Sequence, residues 1–139
     1  MQEVALINRE TTARQVAEVI RRRILSGELL RHEGRIEPAI AELERAVALE
    51  DSLVYDEPEP LPFAARHWLG AALLEAGRAA DAERVYRSEL ADHPNNGWSL
   101  LGLAQSLEAQ KKETEAAEAR RAFETAWERA DAWIRGSRF

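Results

Sequence analysis

The sequence predicts an all-α fold, an α-α superhelical solenoid of about three stacked helix pairs. Three observations lead there. Apolar residues recur at spacings of three and four, with no run that alternates apolar and polar as a half-buried strand does. Ala, Leu, Glu and Arg dominate, and all are strong helix formers. Glycines and small residues also return at matching intervals in successive stretches.

Taken in order, the first helix is expected from Thr12 to about His32. Thr12-Ala13-Arg14-Gln15 has the form of a capping box, and Val16, Val19, Ile20 and Ile24 follow on one face. Gly34 and Arg35 make a turn. Pro38 opens a second helix, where a missing N–H does no harm, and Ala39, Leu43, Ala46 and Val47 give it an apolar face ending near Glu50. Residues 54–62 hold three prolines in five positions and read as an extended acidic insertion. Further helices are expected over about 63–76, 80–92, 98–110 and 114–134, with a turn at His93-Pro94-Asn95-Asn96-Gly97 and order ending at Gly136 and Ser137. The pairs are then about 12–51, 63–94 and 95–131, in a single domain over 1–139.

In the middle pair Gly70 is followed by Gly77, Ala82, Tyr86 and Pro94; in the first, Gly27 is followed by Gly34, Ala39 and Leu43 at the same offsets. A glycine inside a helix costs about 1 kcal/mol against alanine. Its recurrence marks a place where a second helix comes too close for a side chain. Leu43 and Tyr86 are the expected fillers. Gly70 is placed at such a contact, and Gly97 in a turn with room around it.

Trp98-Ser99-Leu100-Leu101-Gly102 in the third pair, with Ala82, Tyr86 and Pro94 in the second, resembles the tetratricopeptide repeat over roughly residues 20–130. Gly27 and Gly70 are 43 residues apart and Gly70 and Gly102 are 32 apart, against about 34 in that family. The excess falls on the Pro-rich insertion. The third pair has Lys111-Lys112 in place of the turn glycine, and Ala119 to Phe123 matches the family's second-helix pattern several residues late. Tyr55-Asp56-Glu57-Pro58, Leu69 to Leu74, Asn96 to Leu100 and Ala126 to Asp131 also resemble the C-terminal part of long bacterial tetratricopeptide proteins. Thr12 to Leu29 is similar to the first helix of winged-helix repressors. There the likeness stops, because the chain continues Leu30-Arg31-His32-Glu33-Gly34 with the repeat spacing intact.

Composition narrows the function classes. There is no Cys, so disulfides and thiolate metal sites are excluded. The net charge is −6, from 25 acidic and 19 basic residues, which is not the footprint of a nucleic-acid binder. No apolar run approaches the ~20 residues that span a membrane. A cytoplasmic protein, or a fragment of a longer one, is the expectation, with no cofactor. His32, His67 and His93 form no metal-ligand pairing, no serine sits in a Gly-x-Ser-x-Gly turn, and no Gly-rich phosphate loop occurs. Asp56, Glu57 and Glu59 admit two readings, a spacer or contact loop and a hard-cation site that would recruit His67.

The resemblance implies a protein or peptide partner rather than a reaction. It implies a concave groove lined by the first helix of each pair, with Ile24, Glu28 and Arg31 from the first, His67, Ala71 and Leu74 from the second, and Ser99, Leu103 and Ser106 from the third. The Lys and Asn set with which some members grip a terminal carboxylate is missing at these positions. Trp98 is placed in the core, with Phe123 and Trp127 sealing the third pair. Trp133, Ile134 and Phe139 trail that seal, as either a lid or a contact with another chain, and Val4 to Ile7 make a similar patch at the other end. Either end gives a possible homodimer.

Overall fold

The computed structural model describes residues 9–53 and 64–138. Among them the fold is all-α: α1 (Arg9–His32), α2 (Ile36–Ser52), α3 (Ala65–Glu75), α4 (Ala79–Asp92), α5 (Gly97–Ala109) and α6 (Glu113–Trp127). Contacts divide the chain into two compact units, Met1–Ala65 and Arg66–Phe139. The insertion 54–62, Val4 to Ile7 and Phe139 lie outside the described residues.

In the first unit, Ile20, Ala46 and Ala65 form a core, with Val16, Ile24, Val47, Leu49 and Leu53 packed on it. The predicted apolar stripe is therefore the buried one, except that Val19 stands 41% exposed. A Cβ on Gly27 would lie 2.9 Å from Leu43 Cγ, so the mid-helix glycine is indeed where α2 presses on α1. Two boundaries differ from expectation. α1 already contains Arg9, so Thr12 is an internal helical residue rather than the first cap. Threonine's penalty of about 0.5 kcal/mol cannot end a helix anchored by buried Ala17 and Ile20. α2 begins at Ile36, two residues before Pro38. The first N–H bonded within the helix is that of Ala39, to Arg35 O at 3.1 Å, so proline still occupies a position that needs no donor.

All three pairs turn the same way. Gly34 N–H bonds Arg31 O at 2.9 Å and Arg35 N–H bonds Leu30 O at 2.9 Å; Gly77 and Arg78 repeat the pattern on Leu74 and Leu73, and Lys111 and Lys112 on Glu108 and Leu107. These are Schellman closures, which need a left-handed residue at the turn. Gly34 has φ 78°, Gly77 has φ 76°, and Lys111 adopts φ 60° without being glycine. The turns set the register of the third repeat differently from the sequence match. Gly77 and Lys111 are 34 residues apart, which aligns Ala104 with Gly70 and Ala116 with Ala82. Ala104 and Ala116 are both buried. The third pair thus keeps the standard period. Gly102 and the Ala119–Phe123 match were the wrong anchors, because a local motif was followed where the turn, lacking its glycine, carried the register.

In the second unit the ring of Tyr86, fully buried, is wedged between α3 and α5. A Cβ on Gly70 would sit 2.3 Å from Tyr86 Cζ, and one on Gly102 would sit 2.2 Å from the same atom. Gly102 is therefore needed for its own reason. Leu100, Leu101 and Phe123 make the second core, with Leu90, Trp127 and Ile134 against it. Trp127 stacks on Phe123 at 5.7 Å and meets Trp98 edge-on at 5.6 Å, so the expected seal exists, although Trp98 is only half-buried. Gly97 corrects the expectation of a roomy turn. It is buried as the first residue of α5, and a Cβ there would lie 2.4 Å from Trp127 Cε3.

α6 stops at Trp127, seven residues before the expected Ile134. Trp127 Nε1 donates to Ala132 O at 2.5 Å, which requires the chain after the helix to double back, and Ile134, half-buried, packs against the second core. Order does not end at Gly136 and Ser137. Ser137 is 2% exposed.

Candidate peptide-binding groove

The site in the second unit is built on α3 and α5. They are tied by the His67 Nε2···Ser99 Oγ hydrogen bond at 3.0 Å, with both residues buried. Ser99 sits there because Asn96 caps α5, accepting the Ser99 N–H at 3.1 Å. Burial pulls His67 down from its ordinary 6.5 to about 4; a hydrogen bond with the Asn96 side chain opposes this and the charge of His93 adds to it. His67 is therefore a neutral structural partner near pH 7.

Of the nine groove residues expected from the sequence, Ala71 and Leu74 line an open cleft of ≈ 300 Å³, together with Tyr86, Gln105 and residues 135–138. His67, Ser99, Leu103 and Ser106 are buried and do not line it, and Ser106 Oγ is turned onto its own helix, donating to Leu103 O at 2.8 Å. Ile24, Glu28 and Arg31 belong to the first unit. Ile24 packs on that unit's core, and Glu28 pairs with Arg31 at 3.2 Å.

The residues that sequence reasoning missed are those of the tail. Gln105 Nε2 donates to Arg135 O at 2.7 Å. Ser137 Oγ donates to His67 O at 2.7 Å. That uses the only hydroxyl proton of Ser137, so Tyr86 OH, 2.5 Å away, is the donor to Ser137 Oγ. Burial pushes the Tyr86 phenol up to about 12, against the Ser137 hydrogen bond and the charge of Arg138. Arg138 pairs with Glu75 at 2.8 Å. The groove of the second unit thus holds an extended segment gripped through one main-chain carbonyl and two side chains. The only sequence signal for it was polarity, since Arg135-Gly136-Ser137-Arg138 reads as a solvated end.

Residues 63–106, spanning α3, α4 and most of α5, match the family model of the tetratricopeptide repeat. Over these 44 of the 139 residues the chain is similar to a tetratricopeptide repeat. No curated protein and no solved structure matches the chain. Within the matched stretch lie the Gly70–Tyr86 wedge and the left-handed turn at Gly77. Among the described residues no helix is long and apolar enough to cross a membrane. The family points to a protein-interaction module.

Proposed function

We propose that the chain is a protein-interaction module without enzymatic activity, and that its partner is a protein segment received along α3 and α5 of the second unit. The observation that carries this is the match to a tetratricopeptide repeat together with the extended segment seated across it through Gln105, Tyr86, His67 O and Glu75. Inner faces of stacked helix pairs present polar groups at fixed spacing, which suits an extended or helical peptide. The test is capture of a partner by the full chain and by Ala71→Arg, whose long cation would fill the cleft. Loss of the partner in a variant that keeps its helix content and melting temperature supports the reading. Identical partners on both chains refute it. A second reading, contact of the C-terminal end with a second copy, is favoured by Trp133. Its ring lies 6.5 Å from Phe123 and the residue is 80% exposed, whereas Ile134 is half-buried against the second core.

A further inference from the structure

Ser137 has no reason of its own to be buried. Serines are mostly exposed, yet this one is 2% exposed and spans Tyr86 OH and His67 O. Residues 128–138 contain no helix, so none of these contacts is a by-product of regular structure. The anchors come from three helices: His67 and Glu75 on α3, Tyr86 on α4 and Gln105 on α5. The rigid part of the groove does not depend on the tail, since the Tyr86 ring is held between Gly70 and Gly102. Most of what the tail contributes at the groove is polar and can be exchanged for water or for another chain, and a cleft remains open beside it.

We infer that residues 131–138 are an intramolecular ligand of the groove, and that the external partner carries the same chemistry: a hydroxyl-bearing residue followed directly by a basic residue, with its main-chain carbonyl two positions earlier free to accept from Gln105. This rests on the peptide-groove reading above. The tail's tether gives it an effective concentration on the order of millimolar, so weak contacts suffice to keep it seated. An external segment binds with an apparent affinity reduced by the fraction of chains whose tail is out. The tail is then both a template of the ligand and a threshold that the ligand must exceed.

The probe is a labelled, end-capped peptide of residues 131–138, titrated into the full chain by fluorescence anisotropy. Ser137→Val in the chain removes the bridging hydroxyl and frees the tail. Trypsin cleavage after Arg135 reports that release independently. The peptide is expected to bind Ser137→Val at least tenfold more tightly than the wild-type chain, and a peptide with the same substitution is expected to lose that gain. Glu75→Arg supplies a second variant at an exposed site, where misfolding is not at issue. It repels the native tail and is expected to bind a peptide carrying Arg138→Glu at least tenfold more tightly than the native peptide. A tail that trypsin finds released, with no gain in peptide binding, overturns the inference. So does a charge-swapped peptide that shows no preference for Glu75→Arg, or a tail equally protected in all three chains. If the peptide fails while a captured partner is still lost with Ala71→Arg, the tail inference alone falls. If the peptide binds but does not displace that partner, the tail is a ligand and the groove is not the partner's site.

Discussion

Gly102→Ala tests the wedge at the centre of the second unit. Helix propensity alone favours alanine by about 1 kcal/mol. Geometry opposes it, because the new Cβ would lie 2.2 Å from Tyr86 Cζ, 2.3 Å from Cε1 and 2.7 Å from Cε2. The ring cannot retreat toward α3, where the space beside Gly70 is already closed to a Cβ at 2.3 Å. Its hydroxyl is also held by Ser137. Overpacking of this kind costs about 1–3 kcal/mol, and the contact on both faces of one ring places it at the upper end. A net loss of about 2 kcal/mol is expected, or about 8 °C in melting temperature for a domain of this size. In a Tyr86→Leu background the ring tip is absent, so the same glycine change should be neutral or slightly stabilising. The double-mutant cycle by thermal and urea unfolding therefore carries a coupling of about 2–3 kcal/mol. A Gly102→Ala protein as stable as wild type, or the same cost in both backgrounds, would refute the packing argument.

Lys111→Gly should stabilise the fold by about 1 kcal/mol in urea unfolding, because the left-handed φ of 60° penalises a side chain that makes the turn no tighter; Gly77→Ala should cost a similar amount. His67 titrates at about 4 folded against 6.5 unfolded, so the unfolded chain binds the extra proton between those values. Its contribution is full above pH 6.5 and is lost as pH falls toward 4, by roughly 3 kcal/mol in all, and the slope should flatten in His67→Gln. Glu83 is pushed up by burial but held at about 2 by hydrogen bonds from Gln110, Lys112 and Arg87, so its stabilisation disappears only as pH falls from 4.5 toward 2. Trp133→Ala should leave the melting temperature within about 2 °C, because so exposed a side chain contributes little to the fold. If Trp133 joins two copies, the substitution should convert a sedimenting dimer to monomer, and a wild-type monomer at micromolar concentration excludes that contact.

The helices and their pairing were legible because they follow from spacing. Ile20, Ala46, Leu43 and Tyr86 were placed by three- and four-residue periodicity, and the structure buries all four. Gly27 and Gly70 announced close contacts through their cost, since nothing else explains a glycine inside those helices. Gly97 misled for the converse reason. It followed Pro94-Asn95-Asn96, so turn chemistry accounted for it, and its actual neighbour, Trp127, is 30 residues away in sequence. The third repeat's register was hidden because Lys111 adopts a glycine's backbone without a glycine's name. Of the nine positions expected to line a groove, Ala71 and Leu74 line the cleft, whereas the depth of His67 and Ser99 depends on a cross-helix hydrogen bond that no periodicity encodes. Of the tail, the apolar part was read as a possible lid, and Ile134 packs on the second core, but the grip on residues 135–138 was not, since it is made with polar groups far away along the chain.

One residue joins the fold to the groove. The Tyr86 ring holds the two pairs of the second unit at their fixed separation, and its hydroxyl begins a directed chain of hydrogen bonds, from Tyr86 to Ser137 and from Ser137 to His67 O. Neither end of that chain titrates near neutrality. The phenol keeps its proton to about pH 12, and the acceptor is a main-chain carbonyl. The His67 ring, neutral above about pH 4, is engaged with Ser99 on the other side. The grip on Ser137 is therefore constant across ordinary pH. Only the Arg138–Glu75 pair depends on charge, and with Glu75 43% exposed it is open to screening by salt. Release of the tail should then respond to ionic strength and to competing segments rather than to protons.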